Sequence, residues 1–175
     1  MIVVFTGNGK GKTTASLGQM VRAAGQGKRA LMLQFIKGPW ISGEHKFLDA
    51  HPDLQKNMRV VRGGKGFVKI LGDKLPFAIH QKAAQKTLER ARGAIRSRAC
   101  DLLVLDEVNV AVSLKLITAS QVLAVAKQMP ADKIIVLSGR YAPKSFIRAA
   151  DLVTEMKEIK HPFHKGTKAQ VGFEF

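Results

Sequence analysis

The stretch that decides the fold lies at the N-terminus and reads Ile2-Val3-Val4-Phe5-Thr6-Gly7-Asn8-Gly9-Lys10-Gly11-Lys12-Thr13-Thr14. A short β-branched apolar run, typical of a buried strand, leads into a glycine loop and then into a helical pattern. Glycines at alternate positions let the backbone turn its N–H groups toward a phosphate, and the helix that follows adds partial positive charge. The stretch therefore predicts a P-loop, although Thr6 stands where the usual motif begins with glycine.

This loop assigns a set of nucleotide-binding residues. Lys12 is expected to neutralise phosphate oxygens, and the Thr13 hydroxyl to ligate Mg²⁺ or Mn²⁺. The remaining contacts to the triphosphate of ATP are assigned to Gly7, Asn8, Gly9, Lys10, Gly11 and Thr14. The alternative is a glycine turn with an unrelated lysine, which the position between a hydrophobic strand and an amphipathic helix disfavours.

Two carboxylates follow another apolar run, Leu102-Leu103-Val104-Leu105-Asp106-Glu107. A carboxylate at the tip of a buried strand beside a P-loop can hold Mg²⁺ directly or through water, so Asp106 and Glu107 are predicted metal ligands. The alternative is an acidic start to the next helix. Arg140 follows the run at 134–137 at the same edge of the sheet, where ligands bind in open α/β sheets, and is assigned to ATP binding, through phosphate or a second substrate. An ordinary salt-bridging arginine is an equal alternative.

Apolar runs alternate with helical patterns along the whole chain, which predicts one domain spanning residues 1–175 with a three-layer α/β fold. The predicted class is a P-loop NTPase (RecA-like) fold with a mostly parallel central sheet. The first helix is expected to turn Leu17, Met20, Val21 and Ala24 inward, and residues 45–57 are ambiguous. Strands are predicted near 2–5, 30–33, 59–62, 102–105, 134–137 and 151–157, and the longest helix at 77–99 with Ala84, Leu88, Ala91 and Ile95 inward.

The composition is strongly basic, with 29 Lys and Arg against 13 Asp and Glu in 175 residues. Residues 56–98, called the basic belt below, hold six lysines and six arginines against Asp73 and Glu89. Such a surface favours polyanions or an acidic protein partner, or is simply a solvated face. The N-terminus reads as a strand and not as a signal peptide, no apolar run spans a membrane, and Cys100 is the single cysteine. A cytoplasmic location is the expectation.

The residues alone indicate an enzyme that binds a nucleoside triphosphate and Mg²⁺, without saying which bond of the nucleotide breaks. A P-loop usually supports attack at the γ-phosphorus, which would make the chain an ATPase or a kinase. An ATPase associated with nucleic acid is a further alternative, because the sequence pI is about 10.3. Nucleic acid is disfavoured because Trp40 and Tyr141 are the only tryptophan and tyrosine, and aromatic and basic residues do not interleave as they do in a stacking surface.

Segments beyond the P-loop resemble one family closely, the P-loop ATP:corrinoid adenosyltransferases. The resemblance covers nearly the whole chain, in family order, and its most discriminating part is the tail. The matching segments are Thr6 to Thr14, Gln34-Phe35-Ile36-Lys37-Gly38 with Trp40 and Gly43-Glu44, Gly66-Phe67, Val104-Leu105-Asp106-Glu107, Ser138-Gly139-Arg140, Ala150 to Met156, Lys160-His161-Pro162-Phe163, Gly166, Lys168-Ala169-Gln170 and Gly172.

The resemblance implies that cobalt(I) of a reduced corrinoid attacks the ribose C5′ of ATP and that triphosphate leaves. It implies that Phe67, with Trp40 and Lys69, contacts the corrinoid and helps to displace the lower axial ligand of cobalt. Relatives often have Trp where this chain has Lys69, which is a departure from the pattern. The resemblance also implies a tail at 160–175 packed near the active site, a homodimer, and an acidic flavodoxin-type reductant that the basic belt would attract. Some relatives carry an N-terminal extension that can cover the active site, and the first predicted strand here starts at residue 2.

Overall fold

The computed structural model describes residues 1–70 and 72–173, without the side chains of Phe163 and Lys165. Within these residues a single parallel sheet has the strand order β3-β2-β4-β5-β1-β6. The predicted mostly parallel sheet is confirmed. Its strands are β1 (Ile2–Thr6), β2 (Ala30–Gln34), β3 (Met58–Arg62), β4 (Leu102–Asp106), β5 (Ile134–Ser138) and β6 (Leu152–Glu155).

Helices connect the strands and cover both faces of the sheet. They are α1 (Lys12–Gly25), α2 (Gly43–Ala50), α3 (Phe77–Arg96), α4 (Val108–Ser113), α5 (Ala119–Ala126) and α6 (Lys144–Ala149), with 3₁₀ turns at Pro52–Lys56 and Pro162–Lys165. The ambiguous region 45–57 thus contains most of α2 and the first of these turns. The predicted helix at 77–99 ends earlier, at Arg96.

Two apolar clusters, one on each face of the sheet, hold the sheet and its two helical layers together. On one face, strand residues such as Leu103 and Leu137 pack against α3, α4, α5 and α6. The four residues predicted to face inward on α3, from Ala84 to Ile95, are all buried there. On the other face, Met32 and Val104 pack against α1 and α2. This sandwich of helices on both faces explains why the central strands read as unbroken apolar runs.

One predicted inward position on α1 is wrong. Val21 is 58% exposed, whereas Met20 is completely buried. The two residues are adjacent, so they lie about 100° apart around the helix and only one of them can face the sheet squarely. Met20 reaches the sheet, and Val21 turns toward the cleft described below.

The fold brings four chain segments to one edge of the sheet. Because all strands run parallel, the carboxyl ends of β1, β2, β4 and β5 meet there. Those ends carry the glycine loop, Gln34, Asp106 and Ser138. The last strand, β6, forms the sheet border, and all four of its residues are exposed. No helix formed by the described residues is long and apolar enough to cross a membrane.

Candidate functional site

The glycine loop between β1 and α1 closes around the Lys12 side chain. Gly7 and Gly11 both have positive φ, 94° and 114°, and α1 begins at Lys12 itself. The Lys12 ammonium donates to the carbonyl oxygens of Gly7, at 2.8 Å, and Gly9, at 2.6 Å. Burial lowers the pKa of Lys12. The loop therefore holds the lysine at its centre, where an anion bound by the loop would meet it.

The segment that leaves β6 lies directly against this loop. Met156 donates its N–H to the Thr6 carbonyl at 2.8 Å, and its own carbonyl accepts from the Gly9 N–H at 2.7 Å. A Cβ at Gly7 would collide with the Met156 backbone, and one at Gly9 would lie 2.7 Å from the Lys157 carbonyl. Glycine is therefore required at both positions by close backbone approach as well as by the turn.

Two of the predicted metal ligands are in contact. The Thr13 hydroxyl donates to Asp106 Oδ1 at 3.0 Å, and the Ser138 hydroxyl donates to the same oxygen at 2.7 Å. Gln34 approaches the other carboxylate oxygen at 3.4 Å. Asp106 is fully buried, and burial raises its pKa. A hydroxyl and a carboxylate this close are hard oxygen donors, which fit a Mg²⁺ ion at the end of a triphosphate.

Glu107, the next residue, lines the cleft beside the loop. Its backbone has φ 58°, a left-handed conformation that is uncommon for a residue other than glycine. Burial, followed by the nearby Asp106 carboxylate, raises the pKa of Glu107 to about 7. The carboxyl group is therefore poised to change its charge near neutral pH, and a bound cation would favour the ionised form.

A cleft of about 500 Å³ opens over the loop. It brings together most of the predicted nucleotide-binding residues, with Glu107 and Arg140 on its walls. The cleft is also lined by residues to which the sequence assigned no role in binding, among them Val21, Lys37, Glu44 and Phe47. Of the predicted nucleotide- and metal-binding residues, Gly7, Asn8 and Asp106 are not among the described residues that line it, and Asp106 is fully buried.

The sequence did not predict a chain of buried polar side chains that links Asp106 to Glu44 on the cleft wall. Gln34 is fully buried, and its amide nitrogen lies 3.1 Å from Glu44 Oε1. Lys37 lies 4.0 Å from the same carboxylate oxygen. Burial alone would raise the pKa of Glu44, but hydrogen bonds from Ser42, its own backbone and Gln34 lower it. A signal for Gln34 existed, because it is the polar residue that ends an otherwise apolar parallel strand.

The predicted corrinoid-binding residues form a separate exposed surface. The rings of Trp40 and Phe67 are 5.6 Å apart and tilted by 40°, and their residues are 59% and 42% exposed. Their loops touch where Gly38 meets Gly66, whose N–H donates to the Ile36 carbonyl at 3.0 Å. Lys69 is exposed as well. None of Trp40, Phe67 and Lys69 is among the described residues that line the cleft.

The tail returns to the opposite wall of the cleft. His161, Gly172 and Phe173 line it, and the Lys10 ammonium lies 4.6 Å from the centre of the Phe173 ring. Near the base of the tail, His164 Nε2 lies 2.6 Å from Glu158 Oε1. The chain thus contributes residues from both of its ends to one cleft.

Comparison with known proteins places this architecture in a family. The family model described as ATP:corrinoid adenosyltransferase BtuR/CobO/CobP matches residues 1–175. The chain belongs to this family. A corrinoid adenosyltransferase from Sinorhizobium is 38% identical over all of this chain and 80% of its own length. Those from Pseudomonas aeruginosa and Escherichia coli K12 are 37% and 32% identical, again over the whole chain and over 83% and 85% of their lengths.

Membership of the corrinoid adenosyltransferase family confirms the resemblance and the predicted enzyme class, with ATP and a corrinoid as the substrates that the family name states. The fold comparison agrees with the predicted class. A KaiC-like protein from Pyrococcus horikoshii superposes with a TM-score of 0.56 over 91% of this chain and 73% of its own, at 12% identity. That likeness supports the P-loop NTPase (RecA-like) fold alone.

Proposed function

We propose that this corrinoid adenosyltransferase transfers the 5′-deoxyadenosyl group of ATP to cobalt(I) of a reduced corrinoid and releases triphosphate. The proposal rests on one observation: the chain belongs to this family, and its cleft is lined by a P-loop that encloses the Lys12 ammonium. Cobalt(I) attacks C5′, so a cobalt–carbon bond forms as the bond from C5′ to the triphosphate oxygen breaks. Cobalt(I) carries no proton, so the attack requires no general base.

Stabilisation of the leaving triphosphate is the main catalytic task that this reaction sets. Lys12, held between two loop carbonyls, is proposed to exchange them for phosphate oxygens. Arg140, on the cleft wall, is proposed to bind the same group. Thr13, Asp106 and Glu107 would hold Mg²⁺ or Mn²⁺, which supplies positive charge to the departing phosphates. The polar chain from Asp106 through Gln34 keeps the carboxylate oriented.

The corrinoid is proposed to lie against Phe67, Trp40 and Lys69. Two exposed aromatic rings packed against each other offer an apolar surface to the face of a flat macrocycle. Phe67 would displace the lower axial ligand of cobalt, which eases reduction to cobalt(I). The tail at 160–175 is proposed to pack near the active site, and its contacts with the cleft through His161 and Phe173 support this.

We propose a cytoplasmic location, which is the expectation from the sequence, and a homodimer by analogy with the family. The basic belt is proposed to attract an acidic flavodoxin-type reductant, because complementary charge accelerates encounter between proteins. Exposed cations on α3, such as Lys82, Lys86 and Arg90, support this role.

The proposal is tested by mixing the protein with Mg-ATP and chemically reduced cobalamin and assaying for a light-sensitive adenosyl product together with triphosphate. Lys12→Ala should lower the rate at least about 100-fold, because a charge at the leaving group is lost. Lys28→Ala, an exposed lysine outside the loop, is the matched control and should leave the rate unchanged. Formation of ADP without an adenosylated corrinoid would contradict the proposal.

A further inference from the structure

The loop from β3 to α3 carries Phe67, and the Asp73 carboxylate ties several of its residues together. Asp73 Oδ2 accepts the backbone N–H of Lys69 at 2.9 Å, and Oδ1 accepts that of Leu75 at 3.1 Å. His80 Nε2 lies 3.1 Å from Asp73 Oδ2. We call these contacts the Asp73–His80 latch. It joins the loop on both sides of Asp73 to the first turns of α3.

The latch is shielded from water. The Asp73 side chain is 8% exposed and that of His80 is 2% exposed. Hydrogen bonds from the Lys69 and Leu75 backbones lower the pKa of Asp73, so the carboxylate is ionised at neutral pH. An ionised carboxylate only accepts, so the imidazole donates from Nε2. His80 is itself fixed, because α3 is anchored in the core by Ala84 and Leu88.

Lys69 shows what the latch restrains. Its backbone has φ 59°, a left-handed conformation that is uncommon for a residue other than glycine. The hydrogen bond to Asp73 imposes it from one side. The side chain is held from the other, because the Lys69 ammonium lies 5.0 Å from the centre of the Phe77 ring at the start of α3.

Phe67 lies two residues before this restrained position. Val68 between them is buried and anchors the loop in the core. Phe67 itself is 42% exposed, with the Trp40 ring 5.6 Å away. The direction of its ring is therefore set by the backbone at 66–69, which is fixed by the Gly66 contact with Gly38 on one side and by the latch on the other.

We propose that Asp73 and His80 are positioning residues that hold Phe67 in place for the corrinoid step. The inference rests on the proposed role of Phe67. Loss of the latch should impair the reaction that starts from cobalt(II), because displacement of the axial ligand precedes reduction there. It should spare the reaction when cobalt(I) is supplied.

Two variants disrupt the latch, Asp73→Asn and His80→Leu, and two others serve as controls. His80→Gln keeps a nitrogen donor toward Asp73, and Glu89→Gln removes an exposed ion pair with Arg92 on the same helix. Rates are measured with cobalt(II)alamin, using dihydroflavin as electron donor, and with cobalt(I)alamin. Asp73→Asn and His80→Leu should lose about tenfold in the first assay and under about twofold in the second. His80→Gln and Glu89→Gln should resemble the wild type in both.

A double variant separates positioning from general damage. If the latch acts through Phe67, Asp73→Asn should add no further loss in a Phe67→Ala background. Equal losses in both assays, or additive losses with Phe67→Ala, would overturn the inference. A folded His80→Leu variant with wild-type rates would do the same, whatever the fate of the Asp73 variant.

Trp40 gives a readout that does not require activity. It is the only tryptophan of the chain and lies beside Phe67. Its emission should shift to longer wavelength in Asp73→Asn and His80→Leu as the Phe67 ring moves away, but not in His80→Gln. An unchanged emission in both disrupting variants would overturn the inference. Absence of adenosyl product from the wild type in both assays would instead refute the proposed function, and the emission would still decide whether the latch positions Phe67.

Discussion

Glu107 shows, at the scale of one residue, how a binding site is built at the expense of stability. Its carboxyl group is partly buried beside Asp106, and the pKa of Glu107 is raised to about 7. The ordinary value, 4.5, applies in the unfolded chain. Because the folded pKa is the higher one, the protonated group favours folding. That contribution is complete below about pH 4.5 and is lost as the pH rises through about 7.

Glu107→Gln should therefore stabilise the metal-free protein in alkaline solution. Glutamine removes the buried charge, so at pH 8 we expect the free energy of unfolding to rise by about 2 kcal/mol, with the difference vanishing toward pH 5. Urea unfolding in the presence of a chelator measures it. Glu155→Gln, at an exposed position on β6, is the control. A difference between wild type and Glu107→Gln that is the same at pH 5 and pH 8 would show that Glu107 does not titrate in this way.

Which site residues the sequence reveals depends on how far apart they lie along the chain. The proximity of Lys12, Thr13 and Asp106 was predictable because a glycine loop and a strand tip are each contiguous in the sequence and lie at the same edge of a parallel sheet. Met156 contacts the same loop from about 150 positions away, and its segment, although part of the family resemblance, did not predict this contact. The Asp73–His80 latch was missed for a related reason, since Asp73 lies in a loop without a regular pattern and meets His80 only through the fold.

At the scale of elements, close packing between the end of β3 and helix α3 fixes where the Phe67 loop begins. A Cβ added to Gly63, directly after β3, would overlap the Thr87 side chain of α3. Thr87 is buried and its hydroxyl donates to the Ala83 carbonyl at 2.8 Å, so it has little freedom to move aside. The end of β3 therefore lies so close to α3 that only glycine fits at position 63.

Gly63→Ala should destabilise the fold by about 2 kcal/mol, the usual cost of overpacking a dense interior. Thr87→Ala removes both atoms that meet the new methyl group first, so it should recover most of that loss in the double variant. Thermal unfolding of the four proteins gives the coupling between the two sites. Additive losses would contradict close packing at this joint. Gly93→Ala, where an added Cβ meets nothing within 4 Å, is the control on the same helix.

Element prediction from the sequence succeeded where a pattern was long or where burial was complete. The apolar strands and α3 were identified in this way. Helix α4, Val-Asn-Val-Ala-Val-Ser, was missed because alternating β-branched residues favour a strand. Tertiary packing decides its structure instead, since Val108 and Ala111 are completely buried between β4 and the neighbouring helices.

At the scale of the whole molecule, the charge is distributed unevenly around one cleft. Carboxylates close to the P-loop, such as Glu44, Asp106 and Glu107, are buried or nearly so. The basic belt exposes its cations at the outer surface of α3 and on the loop that carries Phe67. An acidic protein would therefore be attracted to α3 and to the loop that carries part of the proposed corrinoid surface.

If this field steers a protein reductant, activity driven by an acidic flavodoxin should fall about tenfold between low and moderate ionic strength, because salt screens exposed charges. Activity driven by a small chemical reductant should change little over the same range. Lys82→Glu combined with Lys86→Glu, two exposed positions on α3, should weaken the first activity and spare the second, whereas Lys28→Glu outside the belt should affect neither. The change should appear in the apparent KM for the reductant, since steering acts on encounter and not on transfer. A reductant-driven rate that is insensitive to salt and to both α3 substitutions would leave the basic belt as a solvated face.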